Sequence, residues 1–124
     1  MAKHDVQTVT DATFEKDVFS STTPVLVDFW ASWCPPCRAL APIVEQVAEH
    51  YQQRLKVVKL DADKNGQTAL RFHVQSIPTL ILFARGAPVE RIVGFTPREE
   101  LLSRLDRVMT VVEQDRGGDK FIGG

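Results

Sequence analysis

The sequence carries no surplus of charge: 15 Lys+Arg stand against 16 Asp+Glu, a net −1. Without a basic excess or a polybasic run, neither nucleic acid nor a lipid surface is indicated as a partner. Long apolar runs are missing too, and none approaches the ~20 residues that span a bilayer. The opening MAKHDVQTVTDATFEK lacks the apolar core of about 7–15 residues that a secretory signal requires. With Met1 as the start, a cytoplasmic protein is expected, and there ordinary structural disulfides are rare. No internal repeat or linker divides the chain. Its 124 residues, 44% hydrophobic and 25% charged, suit one globular domain.

Against these absences stands one dense stretch, DFWASWCPPCRALAP at residues 28–42, which holds both cysteines of the chain. A residue before proline is pushed out of the helical region, so Cys34 suits an N-cap. Pro35 and Pro36 then fill the first helical positions, where a missing N–H costs least. Cys37 falls in the first turn, within reach of Cys34. The helix N-terminus brings partial positive charge and free N–H groups to the Cys34 sulfur. Those favour thiolate, the nucleophilic form, and lower the thiol pKa from its ordinary ~8.5. Cys34 is thus expected to attack disulfides and Cys37 to resolve the mixed disulfide. Pro35 adds stiffness and removes one N–H from the helix start, a loss expected to weaken thiolate stabilisation. Two other readings remain. A stapling disulfide would close only a few residues, where loop-closure entropy contributes least. A zinc site wants four ligands, and only the scattered His4, His50 and His73 are available to complete one.

Periodicity and stop signals give the order β-α-β-α-β-α-β-β-α. Val6–Val9 reads as a short strand, and Thr10 as the cap of a helix from Asp11 to about Ser20. VLVDFW (25–30) is apolar on both faces and so central in a sheet. An amphipathic helix runs to about residue 51, interrupted at Pro42. LKVVKLDAD is a strand, and DKNGQTALRFHV a turn with a short helix. PTLILF and VERIVG form a hairpin around ARGAP. Thr96, Pro97 and Glu99 give the last helix an N-cap, a first-turn proline and a capping-box acid. The resulting α/β class is a mixed sheet with helices on both faces. Residues 1–112 are expected to form the domain and 113–124 a loose polar tail.

DFWASWCPPCRALAP, KLDAD, SIPTLILFARG and VGF, in this order and spacing, resemble the thioredoxin family from about Val6 to Met109. The resemblance implies the thioredoxin fold, a central five-stranded mixed sheet flanked by four helices. It also implies a protein-disulfide reductase working through a reversible Cys34–Cys37 dithiol/disulfide. No bound cofactor or metal is expected. NADPH and FAD enter only through a thioredoxin reductase partner, because the chain has no dinucleotide-binding glycine motif. Disulfide-containing proteins are the expected substrates and a monomer the expected state.

Asp28 interrupts the apolar VLVDFW, and burial there would raise its pKa toward neutrality. The resemblance makes it the acid/base partner of Cys37. Lys59 interrupts VVKL, and the resemblance pairs it with Asp28 in the catalytic set. The resemblance further implies a cis Ile77–Pro78 bond facing the disulfide, where sequence alone reads SIP as a turn. Trp33, Ile77, Pro78 and Gly94 are expected to form a flat substrate-binding surface, with Pro35 and Pro36 tuning the site. Trp30 reads as core packing, and His50 and His73 as surface residues.

Typical thioredoxins carry glycine where this chain has Pro35. Trp-Cys-Pro-Pro-Cys is common in the thioredoxin-like reductases of cytochrome c maturation and in tryparedoxins, which form the alternative reading. A binding subunit in which turnover is incidental is a third.

Overall fold

The computed structural model describes residues 6–116. Five strands form one sheet in the order β1-β3-β2-β4-β5. They are β1 (Gln7–Thr8), β2 (Val25–Trp30), β3 (Lys56–Asp61), β4 (Thr79–Ala84) and β5 (Ala87–Val93). β3 runs parallel to β1 and β2, while β4 is antiparallel to β2 and β5. VLVDFW is therefore the central strand, as its unbroken apolarity requires, and the hairpin forms the antiparallel edge.

The helices are α1 (Pro35–Tyr51), α2 (Gly66–Arg71) and α3 (Arg98–Arg116), with one wide π-type turn at Glu15–Phe19. α1 and α3 cover one face of the sheet. There Leu40, Val44, Val47 and Tyr51 meet Leu101, Leu105 and Met109 over Leu26, Val57 and Leu80. The π-type turn and α2 cover the other face over Val25, Val27, Phe29, Val58 and Leu60. Because strand side chains alternate, Asp28 and Trp30 share the α1 face with Leu26. Lys59 shares it with Val57.

Three local expectations are corrected. The first helix is shorter than residues 11–20. Thr10 and Thr13 exchange hydroxyl–amide bonds (Thr13 N to Thr10 Oγ1, 3.3 Å; Thr10 N to Thr13 Oγ1, 2.9 Å). Asp11 turns away to cap α2, accepting from Thr68 N at 2.9 Å and Thr68 Oγ1 at 2.6 Å. At α3 the Thr96 hydroxyl donates to Gly94 O (3.3 Å), while Pro97 O accepts the first helical bond, from Leu101 N (2.9 Å). Finally, α3 continues to Arg116, so residues 113–116 are helical rather than the start of a loose tail. Glu113 pairs there with Arg54 at 2.8 and 3.1 Å, a long-range contact that residue-by-residue polarity does not reveal. The rest of the expected tail lies outside the described residues.

Candidate active site

β2 delivers the chain to a short loop, and α1 begins at once behind it. Cys34 is the N-cap of α1, with extended φ/ψ of −93° and 108° and prolines at the first two helical positions. This is the backbone that a residue before proline prefers. Cys34 N donates to Ala31 O (3.2 Å), and Arg38 reaches back from α1 to Ser32 O (2.9 Å). Both ends of the loop are thus fixed. Cys34 and Cys37 are buried and disulfide-bonded, with Cα atoms 5.2 Å apart.

The amide of Cys37 points at the Cys34 sulfur, N to Sγ 3.3 Å. This refines the expectation for Pro35. The donor that reaches the sulfur is two residues past Pro35, so proline at 35 removes no hydrogen bond that the sulfur receives here. The Ile77–Pro78 bond is cis, and Ile77 O lies 3.7 Å from Cys34 Sγ. Ile77 also packs on the small cluster of Ala31, Cys34 and Cys37, together with Trp30. Gly94 N donates to Pro78 O at 2.8 Å. Gly94 has φ of 91° and open space where a Cβ would stand, so its backbone requires glycine while the surface above it stays accessible.

Asp28 is only 5% exposed. Burial raises its pKa from 3.8 to about 7, and the charge of Lys59 works against that rise. Among the described residues its Oδ1 has no hydrogen-bond partner, nor has the buried Nε1 of Trp30 two residues on. Lys59 stands opposite Asp28 in the β2–β3 register, but the expected ion pair is absent among the described salt bridges. The Lys59 ammonium lies over the Trp30 ring, 5.3 Å from its centroid, a cation–π seat that also lets a flexible stem reach solvent. Trp30 therefore belongs beside the site rather than only to the core.

Trp33 is 61% exposed. It does not lie free as a flat surface, because its indole N–H donates to Asp63 Oδ2 at 2.6 Å. Asp63 was missed in the sequence. Its signal, a carboxylate closing the KLDAD strand, names no partner thirty residues away. Val93 and Phe95, exposed on either side of Gly94, were also missed, although alternation along VERIVGF marks them as outward-facing. Removing the Trp33 tether should be felt in substrate binding. Asp63→Ala is expected to raise KM for a protein disulfide roughly three- to tenfold, the worth of one hydrogen bond. It should also shift the Trp33 indole N–H resonance, and Asp63→Asn should restore both. An unchanged KM in Asp63→Ala would show the bond to be ornamental.

Comparison with known proteins decides what this geometry belongs to. The thioredoxin family model matches residues 5–107. The chain belongs to the thioredoxin family. It is 48% identical over 99 residues to thioredoxin 1 of Synechococcus elongatus, covering 80% of this chain and 92% of that one. To the thioredoxin of Mycobacterium bovis it is 54% identical over 101 residues, 82% and 87% of the two chains. A bifunctional thioredoxin reductase/thioredoxin of Mycobacterium leprae is 52% identical over 101 residues, 82% of this chain and 22% of that protein. The chain is accordingly a thiol–disulfide oxidoreductase and protein-disulfide reductase whose redox group is the Cys34–Cys37 disulfide. These relatives do not favour the cytochrome c maturation or tryparedoxin alternative. Among the described residues no helix is long and apolar enough to cross a membrane, and no three His, Cys, Asp or Glu are grouped to hold a metal.

Proposed function

We propose that the chain is a cytoplasmic, monomeric reductase of protein disulfides, with Cys34 as nucleophile and Cys37 as resolving thiol. The observation that carries the assignment of roles is the Cys37 amide 3.3 Å from Cys34 Sγ, which stabilises negative charge on that sulfur alone. In the reduced protein the Cys34 thiolate attacks one sulfur of a substrate disulfide, and the other substrate sulfur leaves as a thiolate and takes up a proton. Asp28 then accepts the Cys37 proton. The Cys37 thiolate attacks Cys34, expelling the remaining substrate thiolate, and two electrons have passed to the substrate as Cys34–Cys37 closes. Lys59 acts through Asp28, since its charge opposes the rise in that carboxyl's pKa.

Substrate lies across Ile77, Pro78 and Gly94, where its backbone adds to the chain beside Pro78 like an extra strand. Trp33 forms one wall and Pro35 and Pro36 set the stiffness of the helix mouth. A thioredoxin reductase restores the dithiol with electrons from NADPH through its FAD. The Mycobacterium leprae relative, whose name joins reductase and thioredoxin in one protein, supports that pairing. Insulin reduction driven by thioredoxin reductase and NADPH tests the reading. Robust turnover is expected. Turnover with dithiothreitol alone would reject the reductase partner, and none in either would leave a binding subunit.

A further inference from the structure

The segment 72–78 joins α2 to β4 and ends in the cis Ile77–Pro78 bond beside Cys34. It leaves α2 through a closed turn. His73 takes a left-handed φ of 56°, while His73 N donates to Leu70 O (3.0 Å) and Val74 N to Ala69 O (2.8 Å). That pairing satisfies two of the last helical carbonyls and leaves Phe72 O over. The Arg91 guanidinium takes it, Nη2 donating at 2.5 Å. Arg91 precedes Ile92, which is buried with α1 and α3, so its side chain stands on the opposite face, the one α2 covers. Its backbone is fixed as well, opposite Ile81 on β4 and with its carbonyl accepting from Arg104 Nη2 at 3.3 Å. At the far end of the segment, Gly94 N, directly after β5, holds Pro78 O at 2.8 Å. Between these ties, among the described residues, the amides of Gln75, Ser76 and Ile77 reach no backbone carbonyl. Ser76 O accepts from the Thr79 hydroxyl at 2.7 Å.

We infer that Arg91 is a positioning residue for substrate, fixing through Phe72 O the root of the segment whose tip, Ile77, receives the extended substrate chain. The inference rests on the docking surface proposed above. The Phe72 ring already sits among Phe14, Phe19 and Phe83, with centroids 5.6, 5.9 and 5.1 Å away. The carbonyl bond adds a second point of attachment, so the chain leaves Phe72 in one direction. A segment ordered before binding spares the cost of ordering it on association. Loss of the bond should therefore appear in substrate affinity, with the chemistry at the sulfurs untouched.

Arg91→Ala, Arg91→Lys and Ile77→Ala, compared in insulin reduction and by amide NMR relaxation, test the inference. In Arg91→Ala the order parameters of Gln75, Ser76 and Ile77 are expected to fall from the rigid value of about 0.85 toward about 0.6. KM for insulin should rise about threefold or more, the worth of one hydrogen bond, with kcat and the reduction of hydroxyethyl disulfide unchanged. Arg91→Lys, which keeps a donor, should recover part of both effects. Unchanged order parameters in Arg91→Ala overturn the inference. So does an unchanged KM in Arg91→Ala when Ile77→Ala raises it. An unchanged KM in both variants rejects the docking surface itself and the inference with it.

Discussion

A Cys37→Ser variant is expected to react once with a protein disulfide and stop there, held as a mixed disulfide through Cys34. Its side chain cannot resolve the intermediate, but its backbone amide, which sits 3.3 Å from Cys34 Sγ, is retained. The first step should therefore keep most of its rate while turnover falls on the order of a thousandfold or more. Cys34→Ser should lose turnover to the same extent without trapping anything, because serine at the N-cap is not a nucleophile toward sulfur at neutral pH. Non-reducing electrophoresis after mixing with oxidised insulin distinguishes them. A covalent adduct with Cys34→Ser instead of Cys37→Ser would reverse the assignment of attacking and resolving thiols.

Asp28→Asn is expected to make the protein both slower and more stable. The Asp28 carboxyl has a pKa of about 7 in the folded chain against 3.8 ordinarily, chiefly because burial disfavours its charge. The folded state then holds this proton more tightly than the unfolded chain does. The contribution of Asp28 to stability is fully present below pH ~4, declines as pH rises between the two values, and is flat above about 7. The separation is about three pH units, which at about 1.36 kcal/mol each corresponds to roughly 4 kcal/mol of lost stability at pH 8. Asparagine carries no such charge, so urea unfolding at pH 8 should show a gain of a few kcal/mol that disappears near pH 4. The catalytic effect has its own pH signature. Without the carboxylate, the resolving step should slow about 10²-fold near pH 7. The deficit should shrink as pH passes the ordinary thiol value of ~8.5, where Cys37 loses its proton unaided. An unchanged rate at pH 7 would remove Asp28 from the mechanism.

Much of this was legible in the chain because it is local. Cys-Pro-Pro-Cys sets its own N-cap, and the unbroken apolar run around Asp28 places that carboxylate in the sheet centre with no knowledge of the rest of the fold. The cis bond before Pro78 came only from the family resemblance, since Ser-Ile-Pro has an equally good local reading as a turn. What escaped depends on two distant segments meeting. Asp63 finds Trp33, Arg54 holds Glu113, and Asp11 caps α2 more than fifty residues away. In each pair a polar side chain has several satisfactory partners, and packing selects one. Lys59 shows the same limit. Register placed it beside Asp28, yet its ammonium took the face of Trp30.

The amide of Gly94 occupies the carbonyl of Pro78, and proline has no N–H. Pro78 thus contributes shape but little hydrogen bonding, and the polar main-chain groups beside the sulfur are reduced to those of Ile77. A docking site that offers one residue's backbone, framed by exposed apolar side chains, reads what nearly every extended polypeptide shares. On the proposed mode of binding, that makes the chain a generalist. It would sort its clients by whether a disulfide can be presented in an extended segment, and hardly at all by the residues around it.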